Sequence, residues 1–270
     1  MKNLFDLKGK VVVITGGSGV LGSAMASYMC AQGASVVILG RRQEAGDAQV
    51  KELEAQGGKA CFMTTNVLDT AVLKQNAADI KERYGRLDIL VNAAGGNMKG
   101  ATIPPDKTFL DLNIEDFRQV VDLNLLGTVM PTMAFAPLMI EQKKGSIINL
   151  SSMAALRPLT RVIGYGASKA AVTNFTKYMA TELAAKFGSG LRINAIAPGF
   201  FLTKQNKDLL TQADGRLTPR GQRIIDQTPF GRFGDPEELF GTLHYLASDA
   251  SSFVTGTVAI VDGGYDSFSI

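Results

Sequence analysis

The sequence predicts an α/β fold built on one doubly wound parallel sheet of about seven strands, with helices on both faces. Short segments rich in Val and Ile alternate with segments of helical pattern along all 270 residues. The apolar segments are continuous rather than alternating, as in strands that are buried on both faces. A glycine-rich turn follows the first of them and opens a helix. These observations favour a single domain over residues 1–270, without a linker or an internal repeat.

Seven apolar segments are expected to form the strands. Their ranges are 10–15, 34–39, 59–64, 87–92, 145–150, 191–197 and 257–261. Capping residues mark the starts of helices between them. Asp69 can cap a helix over 70–83, Asn113 can cap the helix that follows it, and Asp235 begins a capping sequence that continues with proline and glutamate.

One long segment has no regular pattern. Residues 199–228 are rich in Gly, Thr, Gln, Asn and Pro. A loop of that length inside a compact domain is more often functional than accidental. The sequence therefore predicts a substrate lid over residues 199–228.

The composition excludes several classes of protein. With 46% hydrophobic and 20% charged residues, the chain is typical of a globular protein. A net charge of +3 is too small and too dispersed to indicate nucleic acid as the main partner. No apolar stretch reaches the roughly 18–20 residues of a membrane span, so no membrane partner is expected. The first residues also lack the apolar core of a secretory signal.

Cysteine and histidine usage argues against a metal site. Cys30 and Cys61 have no metal-like spacing, so both are expected to be reduced thiols in a cytoplasmic protein. His244 is the only histidine and lies in a helical pattern, where a packed or surface role is expected rather than metal ligation. A structural zinc and a histidine-based triad are therefore not predicted.

The glycine-rich turn predicts a dinucleotide site of the Rossmann type. Glycines at a strand–helix junction let the backbone approach a pyrophosphate, and the helix N-terminus offers free N–H groups. The expected contacts are Gly16, Ser18, Gly19, Val20, Leu21 and Gly22. At the end of the second strand, Gly40 stands where a carboxylate would bind a ribose 2′-hydroxyl. Arg41 and Arg42 follow it and favour the 2′-phosphate of NADP over NAD.

Three residues predict proton exchange with an alcohol or a carbonyl oxygen. Ser152 follows the fifth predicted strand, and Tyr165 and Lys169 stand four residues apart, on one face of a predicted helix. An ammonium beside a phenol favours the phenolate, so Lys169 is expected to lower the pKa of Tyr165. A tyrosine with a lowered pKa exchanges protons near neutral pH, and Ser152 can hydrogen-bond the same reacting oxygen.

The order and spacing of these segments resemble those of the short-chain dehydrogenase/reductase family, over nearly the whole chain. The matching segments are 15–22, 92–95, Asn124, Ser152, Tyr165 with Lys169, 198–199 and 261–264. The resemblance implies that Tyr165 is the general acid/base and that Ser152 orients the substrate oxygen. It implies that Lys169 holds the nicotinamide ribose, and that Asn124 positions a water that links Lys169 to solvent.

The same resemblance implies further cofactor contacts. They are Asn66, Val67, Asn92, Ala93, Ala94, Gly95, Tyr165, Lys169, Pro198, Gly199, Phe201 and Thr203. Pro198, Gly199 and Thr203 would close over the nicotinamide, which carries the hydride. The phosphate turn departs from the family pattern, because Val20 stands where the middle glycine is expected and Gly19 stands one place earlier.

Several segments resemble a branch of that family, the D-mannonate (D-fructuronate) oxidoreductases. They are 95–102, 153–161, 197–203, 218–221 and 228–234. The branch implies reversible, NAD(P)-dependent reduction of a ketone on a hexonate, such as D-fructuronate to D-mannonate. A sugar acid needs a cation for its carboxylate and polar groups for its alcohols. The expected substrate contacts are Asn97, Ser152, Arg157, Tyr165 and Gln205, with Arg157 as carboxylate anchor and with Arg161 and Asn206 beside the same pocket.

Three alternatives remain open from the sequence. A gluconate 5-dehydrogenase performs the same chemistry on a diastereomeric acid, and a 3-oxoacyl-carrier-protein reductase performs it on an acyl thioester. A non-catalytic nucleotide sensor is the third, but it has no need for an intact Asn–Ser–Tyr–Lys set. Helices over about 113–140 and 165–187 have apolar faces beyond what packing on a sheet requires. Such helices often pair across two-fold axes in this family, so a homotetramer is expected, or failing that a dimer.

Overall fold

The computed structural model describes residues 3–202 and 207–269. Its strands are β1 (Val11–Thr15), β2 (Ser35–Gly40), β3 (Lys59–Thr64), β4 (Ile89–Asn92), β5 (Gly145–Leu150), β6 (Leu191–Pro198) and β7 (Val258–Val261). They form one parallel sheet in the order β3-β2-β1-β4-β5-β6-β7. The predicted fold class and all seven predicted strands are confirmed, with strand ends that differ by no more than two residues.

The sheet is buried on both faces because helices cover each of them. All residues of β1, β5 and β6 are buried, as their continuous apolar runs predict. Successive residues of a strand point to opposite faces, so Ile14 packs in one core and Val13 in the other. Strand β7 lies at the edge of the sheet and is only half-buried.

Nine α-helices and one π-helical turn surround the sheet within the described residues. They are α1 (Val20–Ala31), α2 (Gln43–Ala55), α3 (Thr70–Tyr84), α4 (Ile114–Val121), a π-helical turn (Asp122–Leu126), α5 (Gly127–Glu141), α6 (Ile163–Phe187), α7 (Lys207–Leu210), α8 (Pro219–Asp226) and α9 (Phe240–Ala247). The predicted caps form. Asp69 accepts hydrogen bonds from two backbone N–H groups at the start of α3, and Asn113 does the same for α4. Asp235 forms a capping box at the short 3₁₀ helix that leads into α9.

The continuous helix from α4 to α5 corrects one expectation. Ile114–Glu141 is long and apolar enough to cross a membrane by length and composition, although the sequence shows no such uninterrupted run. The polar residues of α4 and of the π-helical turn interrupt the apolar pattern in the sequence but not the helix. The apolarity of α5 has a cause in packing, because Phe135 and Met139 are fully buried against the sheet. Buried core helices of globular proteins can have the same length and apolar composition.

The single histidine and the two cysteines have structural surroundings. His244 Nδ1 lies 2.8 Å from the Tyr28 hydroxyl, so the expected packing role is confirmed. Cys30 and Cys61 are free thiols in buried positions.

The strand order predicts a binding crevice at the carboxyl ends of the strands, between β1 and β4. The chain leaves β1 toward β2 on one side and later adds β4 on the other side of β1. In open parallel sheets, ligands bind outside the carboxyl ends of the strands at such a reversal. The segments that follow β1, β4 and β5 are those that carry the predicted site residues.

Candidate active site

The turn after β1 brings backbone atoms together so closely that side chains do not fit. Gly16 has a φ of +64°, and a Cβ on it would lie 2.8 Å from the Ala94 Cα atom. A Cβ on Gly22 would lie 2.3 Å from the Gly16 carbonyl oxygen. Gly19 precedes α1 and its N–H donates to that same carbonyl at 2.9 Å, so the helix begins at Val20. The displaced glycine thus still gives a tight turn, and no side chain caps the helix end that would face a pyrophosphate.

The end of β2 presents cations and no acid. Gly40 is buried, and a Cβ there would lie 2.7 Å from the Ser18 Oγ atom. Arg41 and Arg42 follow it and are both exposed. Positive charge is therefore available beside the glycine turn, where a ribose phosphate would need it.

Two further predicted cofactor residues follow β3. Asn66 accepts a hydrogen bond from the Leu68 N–H group at 3.1 Å, which fixes the turn. Val67 is buried, and its Cγ2 atom lies 3.1 Å from where a Gly127 Cβ would stand. Val67 therefore packs against the start of α5 at the same edge of the sheet.

The end of β4 is held by side chains from neighbouring strands. Thr15 Oγ1 accepts hydrogen bonds from the N–H groups of Ala93 and Ala94, at 3.1 and 3.2 Å. Asn92 points into the core, where its Nδ2 atom donates to Asn149 Oδ1 at 2.9 Å. Its amide thus ties β4 to β5, and the small residues 93–96 follow at the carboxyl end of β4.

Ser152, Tyr165 and Lys169 meet beyond the end of β5. The Ser152 side chain lies close enough to the Tyr165 hydroxyl to act on its pKa. Lys169 Nζ lies 5.6 Å from the centroid of the Tyr165 ring and donates to the Leu150 carbonyl oxygen at 2.7 Å. The predicted cluster therefore forms, and Leu150 is a partner that the sequence pattern did not indicate.

Burial sets the pKa values of this cluster. Burial raises the pKa of Tyr165, and the hydrogen bond from Ser152 opposes that rise only in part. Burial lowers the pKa of Lys169 to about 8. The expectation that Lys169 lowers the pKa of Tyr165 is therefore wrong, because burial dominates and raises it. The Lys169 ammonium lies 5.6 Å from the centroid of the Tyr165 ring, and burial destabilises its own charge.

Asn124 lies fully buried in the π-helical turn, next to the cluster. Its Nδ2 atom donates to the Gly96 and Val120 carbonyl oxygens at 2.7 Å, and its Oδ1 atom accepts from the Gly96 N–H group. A Cβ on Gly95 would lie 2.7 Å from Asn124 Oδ1 and 3.3 Å from Lys169 Nζ. Asn124 and Lys169 therefore flank Gly95, and the extra residue of the π turn aims the amide at this loop.

The segments after β6 and β7 pack closely against each other. Gly199 N–H donates to the Val261 carbonyl at 2.9 Å, and a Cβ on Gly199 would lie 2.7 Å from the Asp262 Cα atom. Phe201 is buried and pairs through its backbone with Gly234. Pro198, Gly199 and Phe201 therefore stand at the carboxyl end of β6, as predicted for residues beside a nicotinamide. Thr203, Gln205 and Asn206 lie outside the described residues.

The predicted substrate residues have partners of their own. Asn97 donates to Thr102 Oγ1 at 2.8 Å in an exposed loop. Arg157 forms an ion pair with Asp266, with 3.1 Å between Nε and Oδ1, and also donates to the Asp266 and Phe268 carbonyl oxygens. The C-terminal segment thus takes up much of the hydrogen-bonding capacity of Arg157. No sequence motif marks Asp266, which lies 109 residues away along the chain.

Fold and site together define a class of protein: a dinucleotide-binding α/β domain with a Ser–Tyr–Lys cluster at the carboxyl ends of its strands. A family model described as enoyl-(acyl carrier protein) reductase matches residues 18–266. The chain belongs to the short-chain dehydrogenase/reductase family. It is an oxidoreductase that acts on alcohol or ketone groups with a nicotinamide cofactor, NAD or NADP.

One relative and two solved structures indicate which members of the family the chain resembles. The uncharacterized oxidoreductase UxuB of Bacillus subtilis is 45% identical, over 98% of this chain and 97% of its own length. A proposed D-mannonate oxidoreductase from Haemophilus influenzae with bound NAD has a TM-score of 0.91 and 39% identity, over 99% of both chains. A gluconate 5-dehydrogenase from Burkholderia cenocepacia with NADP and tartrate has a TM-score of 0.87 and 31% identity, over 98% of both chains.

Proposed function

We propose that the chain reduces the ketone of a six-carbon keto sugar acid, D-fructuronate to D-mannonate, and catalyses the reverse oxidation. The observation that carries the proposal is that Ser152, Tyr165 and Lys169 lie together beyond the end of β5, with Lys169 Nζ 5.6 Å from the centroid of the Tyr165 ring. The likeness to the Haemophilus influenzae protein supports the choice of sugar acid.

The side chains of this cluster suit proton transfer to a substrate oxygen. Tyr165 gives its proton to the carbonyl oxygen as the bound nicotinamide supplies the hydride. Ser152 hydrogen-bonds the same oxygen and stabilises the negative charge that develops on it. Lys169 Nζ donates one of its three N–H groups to the Leu150 carbonyl oxygen. Its two other N–H groups can donate to a ribose hydroxyl and to the water of the proton relay. Asn124 shapes the Gly95 loop along which a relay water would run.

We propose NADP as the preferred cofactor. Arg41 and Arg42 are exposed at the end of β2, and no carboxylate stands at Gly40 to repel a 2′-phosphate. The Burkholderia cenocepacia structure contains NADP, whereas the Haemophilus influenzae structure contains NAD, so the comparisons support a nicotinamide cofactor of either kind. The two arginines carry the preference.

We further propose a cytoplasmic homotetramer. Large apolar side chains are exposed on α5 and α6, among them Met133 and Tyr178. Burying such side chains against a second copy of the chain would stabilise an assembly. Free buried thiols are compatible with a reducing compartment.

Steady-state oxidation of NADPH and NADH tests the proposed function. The acceptors are D-fructuronate, 5-keto-D-gluconate and an acetoacetyl thioester, assayed in parallel. We expect the highest kcat/KM with D-fructuronate and NADPH. Faster turnover of 5-keto-D-gluconate would assign the chain to the gluconate 5-dehydrogenases instead. Turnover of the thioester alone would contradict the sugar-acid proposal.

A further inference from the structure

Arg157 and Arg220 lie near Tyr265, and a third arginine, Arg161, lies near Arg220. Arg157 and Arg161 lie on the segment that joins Ser152 to Tyr165, and Arg220 lies in the first turn of α8. The positive charges of Arg157 and Arg220 both act to lower the pKa of Tyr265, against the rise that burial causes. The Tyr265 ring packs edge-on against Phe200, with 5.1 Å between centroids. Because Phe200 lies two residues after the end of β6, Tyr265 and the arginines near it lie beside the carboxyl end of that strand.

The charges of this cluster are not balanced. Asp266 pairs with Arg157, but no acidic side chain among residues 3–202 and 207–269 forms an ion pair with Arg161 or Arg220. Both of these arginines are partly buried. Burial, and then the nearby charge of Arg161, lower the pKa of Arg220. Two neighbouring, partly desolvated cations are costly unless an anion joins them.

The backbone holds Arg161 in an unusual conformation. Its φ is +75°, one of two non-glycine residues with positive φ among those described. Its carbonyl oxygen accepts a hydrogen bond from the Ile103 N–H group at 3.0 Å, which fixes the turn just before α6. Arginine is uncommon in left-handed conformation, and such positions concentrate at ligand sites.

A stable turn also holds Arg220. Thr218 Oγ1 accepts from the Gly221 N–H group at 3.1 Å and donates to the Leu209 carbonyl oxygen, which caps α8. A Cβ on Gly221 would lie 2.2 Å from the Leu210 carbonyl oxygen, so the start of α8 lies directly against α7. The first turn of α8 thus presents Arg220 from a packed element.

We infer that Arg161 and Arg220 together bind the carboxylate of the substrate and make the enzyme selective for acids over neutral sugars. This inference rests on the proposed function and moves the anchoring role from Arg157 to these two residues. Arg157 then acts as a positioning residue that ties the C-terminal segment to the catalytic segment. Two guanidinium groups offer planar donor pairs that match a carboxylate.

Binding at these two arginines also sets the distance between the carboxylate and the catalytic tyrosine. In fructuronate the carboxylate lies four carbon–carbon bonds from the ketone, a span of about 5 Å. Arg161 precedes Tyr165 by four residues, and helix α6 begins between them at Ile163. Binding of the carboxylate by Arg161 and Arg220 therefore requires the Tyr165 hydroxyl to stand about one such span from it.

The test compares Arg161→Asn and Arg220→Gln with Arg223→Gln. Asparagine tolerates the left-handed conformation, and Arg223 is an exposed arginine on the same helix as Arg220. Two readouts are used: calorimetric binding of tartrate to the NADP-loaded protein, and kcat/KM for D-fructuronate and for D-fructose, its neutral counterpart. We expect each of the first two variants to lose at least about tenfold in tartrate affinity and in fructuronate kcat/KM. D-Fructose kcat/KM and all values for Arg223→Gln should stay within about twofold.

The outcomes distinguish a failure of the carboxylate clamp formed by Arg161 and Arg220 from a failure of the proposed function. Tartrate binding unchanged in both variants, or absent in the wild type, would overturn the clamp. An equal loss with D-fructose would also overturn it, because charge would not be the cause. A wild type that reduces no keto sugar acid, yet binds tartrate through both arginines, would contradict the proposed function and support an anion clamp for another acidic substrate.

Discussion

Lys169 is an ionisable side chain only 3% exposed, and it carries its charge at a cost to folding. Burial lowers its pKa from 10.5 to about 8. Below pH 8 both the folded and the unfolded chain hold the proton, and the folded chain bears the cost of a buried ammonium ion. Between pH 8 and 10.5 the folded chain releases the proton and the unfolded chain keeps it. The contribution of Lys169 to stability therefore rises with pH across this window.

We predict a pH-dependent difference between the wild type and Lys169→Met. Relative to the variant, the free energy of unfolding of the wild type should increase by about 3 kcal/mol from pH 7.5 to pH 10.5. Denaturant unfolding at a series of pH values measures it. The exposed Lys177, replaced by methionine on the same helix, should show no such trend. A difference that is constant with pH would show that Lys169 has an ordinary pKa.

Tyr165 supplies the proton in this account, and its replacement separates chemistry from binding. Tyr165→Phe removes only the hydroxyl, so kcat should fall by about 10²–10⁴ while the Kd for NADPH changes little. Single-turnover kinetics and fluorescence titration measure the two quantities. Tyr178→Phe, on the exposed face of the same helix, should keep wild-type kcat. Undiminished kcat in Tyr165→Phe would show that another group donates the proton.

At the residue scale, local motifs were predictable and distant partners were not. Tyr165 and Lys169 share one helix face, so four-residue spacing alone predicts that they lie together. Arg220 and Asp266 are absent from the sequence prediction because only the tertiary fold brings them to the catalytic segment. The pKa of Tyr165 was predicted in the wrong direction, because burial has no signature in a short motif.

The glycine turn shows how one element depends on the absence of a side chain. Gly22 lies in the first turn of α1, against the Gly16 carbonyl oxygen. Gly22→Ala should lower the free energy of unfolding by about 1–3 kcal/mol, because backbone atoms cannot give way easily. It should also weaken NADPH binding, because the phosphate turn must open.

Gly241→Ala is the matched control in another helix. A Cβ at Gly241 meets nothing within 4 Å, so the substitution should be neutral or slightly stabilising. Thermal unfolding and NADPH titration of both variants check the prediction. Equal stability of the two variants would show that the close approach at Gly22 is not required.

Elements were predictable where the sequence carries a local signal. The seven strands are apolar runs that the sheet buries on both faces, and α3 begins at its predicted cap, Asp69. The π-helical turn has no such signal, because its one extra residue depends on packing around Asn124. No local signal predicted α7 and α8 either, which are short helices within the predicted lid over residues 199–228.

At the scale of the whole molecule, large apolar side chains are exposed that the proposed tetramer would bury. On α5, Met133 is 70% exposed, although Phe135 and Met139 on the same helix are fully buried. Met133→Glu should dissociate the proposed tetramer into smaller species, because it places a charge in a desolvated contact. Sedimentation velocity measures the change, and Lys51→Glu on the exposed face of α2 should leave the assembly intact. A wild type that sediments as a monomer would contradict the proposed assembly.

The central claim is that a hydride moves from the nicotinamide to the ketone of a keto sugar acid while Tyr165 supplies the proton. Reduction of D-fructuronate with NADPH that carries deuterium at both C4 positions of the nicotinamide ring tests it, with the product analysed by NMR and mass spectrometry. The account predicts D-mannonate with one deuterium, on the carbon that carried the ketone. Unlabelled product, or no product while 5-keto-D-gluconate or the thioester is reduced, would contradict it.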